Sequence, residues 1–120
     1  MARAAQVKGG WRGKILQVEL TSGRIWEEEL SEALITGYTG GAGINARLLY
    51  ELLRDNPQVD PLSPDNPLIF GFGVLVGTAF PCASRMTITA KSPLTRIFGD
   101  SNGGGAFPAR VKQAGYDHIV

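Results

Sequence analysis

Glycine constrains this chain more than any other residue. It supplies 16 of 120 residues, well above a usual share of about 7%. The glycines fall into groups: Gly37, Gly40, Gly41 and Gly43; Gly71, Gly73 and Gly77; Gly99 and Gly103 to Gly105. Flexible linkers intersperse glycine with serine, whereas each group here abuts an apolar run. The pattern predicts tight turns and close backbone approaches between packed elements.

The last group closes the most informative stretch, Arg85 to Gly105. A strand-like run headed by arginine leads through Ser92-Pro93 to three consecutive glycines. The entropic cost of such a run must be offset. One offset is a backbone whose amides approach a large anionic ligand. Arg85 carries a planar fork of donors suited to phosphate or to an extended heteroaromatic ring. Asn102 can donate and accept, its carbonyl can face a cation, and the amides of Gly103 and Gly104 can take phosphate oxygens. A solvated strand-end cation followed by a sharp, ligand-free loop fits the same residues, so both readings stand at this level.

The rest of the chain reads as short strands and helices. Lys14–Leu20 alternates, Thr21-Ser22-Gly23 turns, and Ile25–Leu30 returns, which predicts a β-hairpin. Ser31 caps a short helix that Gly37 ends. Beyond Gly40–Gly43, Ile44, Leu48, Leu49, Leu52 and Leu53 share one face of a helix over 44–54. Asn56-Pro57 stops it, and 60–67 is a proline-bounded loop. Leu68–Phe72 reads as a buried strand and Arg85–Lys91 as an alternating one with Met86, Ile88 and Ala90 on its apolar face. Ala106–Ala114 forms a helix ended by Gly115. Tyr116–Val120 begins a last strand, which suggests truncation or a partner completing the sheet. The fold class is α+β: an antiparallel or mixed sheet with two or three helices. Residues 1–10 read as a flexible segment and 11–120 as the folded part.

Composition excludes several functions. Twelve basic and eleven acidic residues leave a net charge of +1, which gives no electrostatic case for nucleic acid. No apolar run approaches the roughly 20 residues of a membrane span. Cys82, the lone cysteine, cannot make an internal disulfide or hold a cluster, which points to a cytoplasmic chain; it reads as a packed small residue rather than a thiolate. His118, the lone histidine, has no nucleophile arranged with it and reads as a surface residue. Gly40–Gly43 opens a helix but follows a hairpin, and its intervals do not match a dinucleotide fingerprint. Acidic residues show no metal-ligand spacing.

Seven segments together resemble the tungsten-dependent aldehyde:ferredoxin oxidoreductases. They are Gly13–Gly23, Tyr38–Gly43 with the helix after it, Val59–Asn66, Ser84-Arg85, Lys91–Thr95, Gly99–Asn102 with the glycines, and Ala114–Asp117, in family order over residues 11–120. The resemblance implies one half of a two-repeat, pterin-binding N-terminal domain. It implies that Arg85 lies between a pterin and a 4Fe-4S cluster held by residues outside this chain. It implies that the main-chain carbonyl of Asn102 faces a magnesium ion bridging two pterin phosphates, and that Gly103 and Gly104 contact the cofactor through backbone. The cofactor implied is a tungsten (or molybdenum) bis-pyranopterin. The partners implied are the rest of the enzyme and, through it, ferredoxin. No residue of this chain is expected to be catalytic. A non-catalytic binding module, or a homodimer standing in for the missing half, is the alternative. Three departures stand out: Ser84, Arg96 and Pro108 occupy positions where the family pattern often has glycine.

Overall fold

The computed structural model describes residues 9–120, so most of the expected loose segment 1–10 lies outside the described residues. The chain runs β1 (Lys14–Glu19), β2 (Arg24–Glu29), α1 (Glu32–Tyr38), α2 (Ala42–Leu53), β3 (Ile69–Phe72), β4 (Met86–Lys91), β5 (Phe98–Gly103), α3 (Ala106–Ala114) and β6 (His118–Ile119). The six strands form one sheet in the order β2-β1-β6-β3-β4-β5. Only the β1–β6 contact is parallel; the other pairs are antiparallel. The expected α+β fold, an antiparallel or mixed sheet with two or three helices, is observed with a mixed sheet and three helices.

Local signals explain most elements. The β1–β2 hairpin turns with Gly23 at φ 71°, a left-handed conformation that suits glycine. Ser31 Oγ accepts from the Leu34 amide at 3.3 Å and caps α1. Gly37 does not stop that helix. It continues through Tyr38, and Thr39 adopts the left-handed cap at φ 60°.

The hairpin and first two helices share a core. Ile15, Leu30 and Ile44 are buried together, with Trp11, Leu34, Ile35, Leu48 and Val120 packed against them. The remainder of α2 is fastened to the sheet by Asn45, which is fully buried. Its Nδ2 donates to Thr87 O at 3.0 Å and Thr89 Oγ1 at 3.1 Å, with Ile69 O at 3.4 Å. Gly71 makes room for this: a Cβ there would sit 2.3 Å from Asn45 Oδ1.

This anchor reverses the expected face of β4. Thr87, Thr89 and Lys91 are buried, while Met86, Ile88 and Ala90 are half-buried on the far face. The buried hydroxyls are tolerated because each has a partner: Thr89 Oγ1 accepts from Asn45, and Thr87 Oγ1 donates to Asn102 Oδ1. The last strand also differs from expectation. β6 is an interior strand, paired with β1 on one side and β3 on the other, and needs no partner to complete the sheet. His118 is therefore not at the surface. It is fully buried, with Nδ1 2.9 Å from Asn45 Oδ1. Cys82 is exposed rather than packed, at φ 60°.

Helix α3 rests against the other elements at both ends. Phe107 meets Phe72 edge-to-face, with ring centroids 6.2 Å apart. Lys112, in its last turn, forms a fully buried ion pair with Asp117.

Candidate functional site

The glycine run is built differently from the expected loop. Phe98–Gly103 pairs along all of β4, from Lys91↔Phe98 to Met86↔Gly103. The turn between them is set by Arg96 N–H donating to Ser92 O and Ser92 N–H donating to Ile97 O, both at 2.8 Å. The second bond fixes the ladder. Pairs that exchange backbone bonds alternate with pairs that do not, so Ala90–Gly99, Ile88–Ser101 and Met86–Gly103 exchange bonds. Thr87–Asn102 falls between them. The backbone N–H and C=O of Asn102 accordingly point away from β4.

Nothing among the described strands lies on that side, because β5 is the end of the sheet. The Asn102 side chain is occupied instead: Thr87 Oγ1 donates to its Oδ1 at 3.2 Å. The result is an outward main-chain carbonyl on a residue whose side chain is tied inward.

The chain then enters α3 through Gly104 and Gly105. Gly105 is the helix N-cap at φ 90°, and no side chain caps the first turn. Pro108 has no N–H, so the amides of Ala106 and Phe107 remain as first-turn donors. These amides and the helix dipole favour an anion. Ser84 fastens this corner: its Oγ donates to Gly105 O at 2.5 Å. Gly104 lies against Ser84 O, which a Cβ would meet at 3.4 Å, an ordinary contact. Arg85, exposed, follows Ser84 directly and precedes β4.

The structure thus brings Arg85, Asn102, Gly103 and Gly104 to one end of the β4–β5 ladder. They line a largely exposed rim. One cavity lies beside α2 and another at the ends of β1 and β3, and neither touches this rim. Among the described residues no group of three or more His, Cys, Asp or Glu could hold a metal ion. A cation at the rim would therefore be held by main-chain oxygen and by the ligand's own groups. No helix among the described residues is long and apolar enough to cross a membrane.

Two features escaped sequence reasoning. The strand β5 has no alternating apolar pattern; only its partner's pattern could have suggested it. The Asn45–His118 anchor gave no signal, because a lone buried Asn in an amphipathic helix looks like a polar-face residue.

A sequence model of the aldehyde ferredoxin oxidoreductase N-terminal domain matches residues 15–120. The chain is 44% identical over 112 residues to a tungsten-containing aldehyde ferredoxin oxidoreductase of Pyrococcus abyssi, covering 92% of this chain and 18% of that protein. It is 33% identical over 111 residues to the WOR-like subunit of an aliphatic sulfonate oxidoreductase of Pyrococcus furiosus, again covering 92% and 18%. Among solved structures, a chain of the active site complex BamBC of benzoyl coenzyme A reductase, in complex with 1,5-dienoyl-CoA, superposes with a TM-score of 0.88 at 36% identity. That match covers 94% of this chain and 17% of the other. The chain thus spans under a fifth of the length of these relatives.

Proposed function

The chain belongs to the aldehyde ferredoxin oxidoreductase family through its N-terminal domain, and from that premise we propose that it is part of the platform for a tungsten (or molybdenum) bis-pyranopterin cofactor. The observation that carries this reading is the free sheet edge at Asn102. An outward carbonyl, a side-chain-free approach at Gly103 and Gly104, and a helix start without a side-chain cap converge there beside the exposed Arg85.

The residues suit the group. The Asn102 carbonyl offers a hard oxygen to magnesium. Gly104 and the first amides of α3 offer N–H donors to phosphate oxygens, while Gly103, whose own N–H is spent on Met86 in the ladder, keeps the approach clear of a side chain. Arg85 offers a flat cation to a heterocycle, on the side of a 4Fe-4S cluster held by residues outside this chain. When bound, such a cofactor supplies the oxidation of an aldehyde to a carboxylic acid, with electrons passing through the cluster to ferredoxin. This chain's own residues bind and orient; none of them is assigned a catalytic role. The remaining enzyme, as later domains or a separate subunit, supplies the rest.

A second reading, a stand-alone assembly module that pairs with its own copy, has one feature in its favour. Leu16, Ile119, Phe70 and Ile88 form a cross-strand row that is only half-buried. A second sheet would cover it.

Gly104 gives a clean test. Its φ is not left-handed and a Cβ fits there, so Gly104→Val in the whole enzyme is expected to fold normally. It should lower tungsten and pterin content at least tenfold by metal analysis and pterin fluorescence. Undiminished cofactor in a folded Gly104→Val protein would overturn the assigned role of the rim.

A further inference from the structure

A cavity of about 430 Å³ lies between the C-terminal half of α2 and the β4–β5 turn. It is unrelated to the glycine rim. Its apolar wall includes Leu49, Tyr50, Leu53, Ile97 and Phe98, and its charged lining is Arg54, Lys91 and Arg96. No carboxylate lines it. Its volume falls in the range of small-molecule sites, which pair an apolar body with a few placed polar groups.

The three cations are unequally committed. Lys91 is 9% exposed, and its ammonium donates to Pro57 O at 2.7 Å and Val59 O at 3.0 Å. Both partners are neutral, so among the described residues this buried positive charge has no counter-charge and one of its three donors is unused. Arg54 contacts Glu51 at 3.3 Å and Asp55 at 3.6 Å, long contacts at an exposed position. Arg96 has no ion-pair partner among the described residues.

Arg96 is also held at φ 60°, a conformation that disfavours every side chain with a Cβ. It occupies a position where glycine would relieve the strain. A strained non-glycine residue that delivers a cation to a cavity invites a functional reading.

We propose that this cavity binds an organic monoanion: a carboxylate with an aliphatic or aromatic body, its head group between Lys91 and Arg96 and its body against Leu49, Leu53 and Phe98. The ligand supplies the missing counter-charge, and the apolar wall supplies the burial.

The test uses the natively purified protein and octanoate as probe, with octanol as its neutral counterpart. Octanoate is expected to bind saturably by calorimetry, at least tenfold more tightly than octanol. Arg96→Gly relieves strain and so folds, and should weaken octanoate about tenfold while leaving octanol unchanged. Arg96→Lys should restore part of the loss. Equal binding of octanol and octanoate, no saturable binding of either, or unchanged octanoate affinity in Arg96→Gly would each overturn the proposal.

Discussion

Replacing Asp117 with alanine should destabilise the fold by about 3–5 kcal/mol, the cost of stranding a buried charge. Asp117 and Lys112 are both fully buried and paired. The carboxylate does more than neutralise the lysine. Its Oδ2 accepts from the amides of Arg12 at 2.8 Å and Gly13 at 2.6 Å. It thereby joins the entry to β1, the end of α3 and the start of β6. Burial lowers the Lys112 pKa, and Asp117 opposes that shift. Without Asp117, the ammonium keeps, among the described residues, only the nearby Trp11 ring, 5.6 Å from its centroid. The two backbone amides lose their acceptor as well.

Urea midpoints of Asp117→Ala against the parent would measure the loss. Lys112→Met/Asp117→Leu should recover a large part of it, because removing both charges leaves neither unpaired. An Asp117→Ala protein within about 1 kcal/mol of the parent would contradict the assignment, since surface substitutions reach only about 0.5 kcal/mol. The effect would extend to the candidate site. The same helix that Lys112 pins at its last turn begins at Gly105, so loosening α3 should also reduce cofactor retention.

The contrast between α3 and β5 shows what the sequence could reveal. Helices α2 and α3 were legible because their apolar spacing and glycine or proline boundaries are local signals. The hairpin was legible for the same reason. Phe98–Gly103 carries no period at all; it is a strand because β4 supplies a ladder for it. That non-local fact converts the glycine run from a loop into a sheet edge and turns the Asn102 carbonyl outward. The candidate residues were legible one by one, and their convergence was not. The reversed face of β4 has a similar origin. Thr87 and Thr89 could be read as inward only by knowing that Asn45 crosses from α2 to meet them.

His118 is the buried group whose titration should be visible. Asn45 Nδ2 is committed to Thr87, Thr89 and Ile69, so Asn45 Oδ1 must accept. The hydrogen-bond network therefore assigns the proton to His118 Nδ1. Its Nε2 has no partner among the described residues. A second proton there would place an imidazolium in the core. Burial pushes the pKa down to about 4 from 6.5; Asp117 opposes this shift and Lys112 adds to it. The unfolded chain binds this proton more readily than the folded one between those two values. Stability should therefore be fully present above about pH 6.5 and fall as the pH drops toward 4. A displacement of that size corresponds to about 3 kcal/mol. Glu27 is held below its ordinary range by Lys14 and Tyr116, so its shift acts at lower pH. His118→Gln keeps an amide donor for Asn45 and cannot titrate. Urea midpoints from pH 7.5 to 4.5 should fall steeply in the parent and much less in His118→Gln. Parallel curves for the two proteins would show that His118 is not the group that couples acid to unfolding.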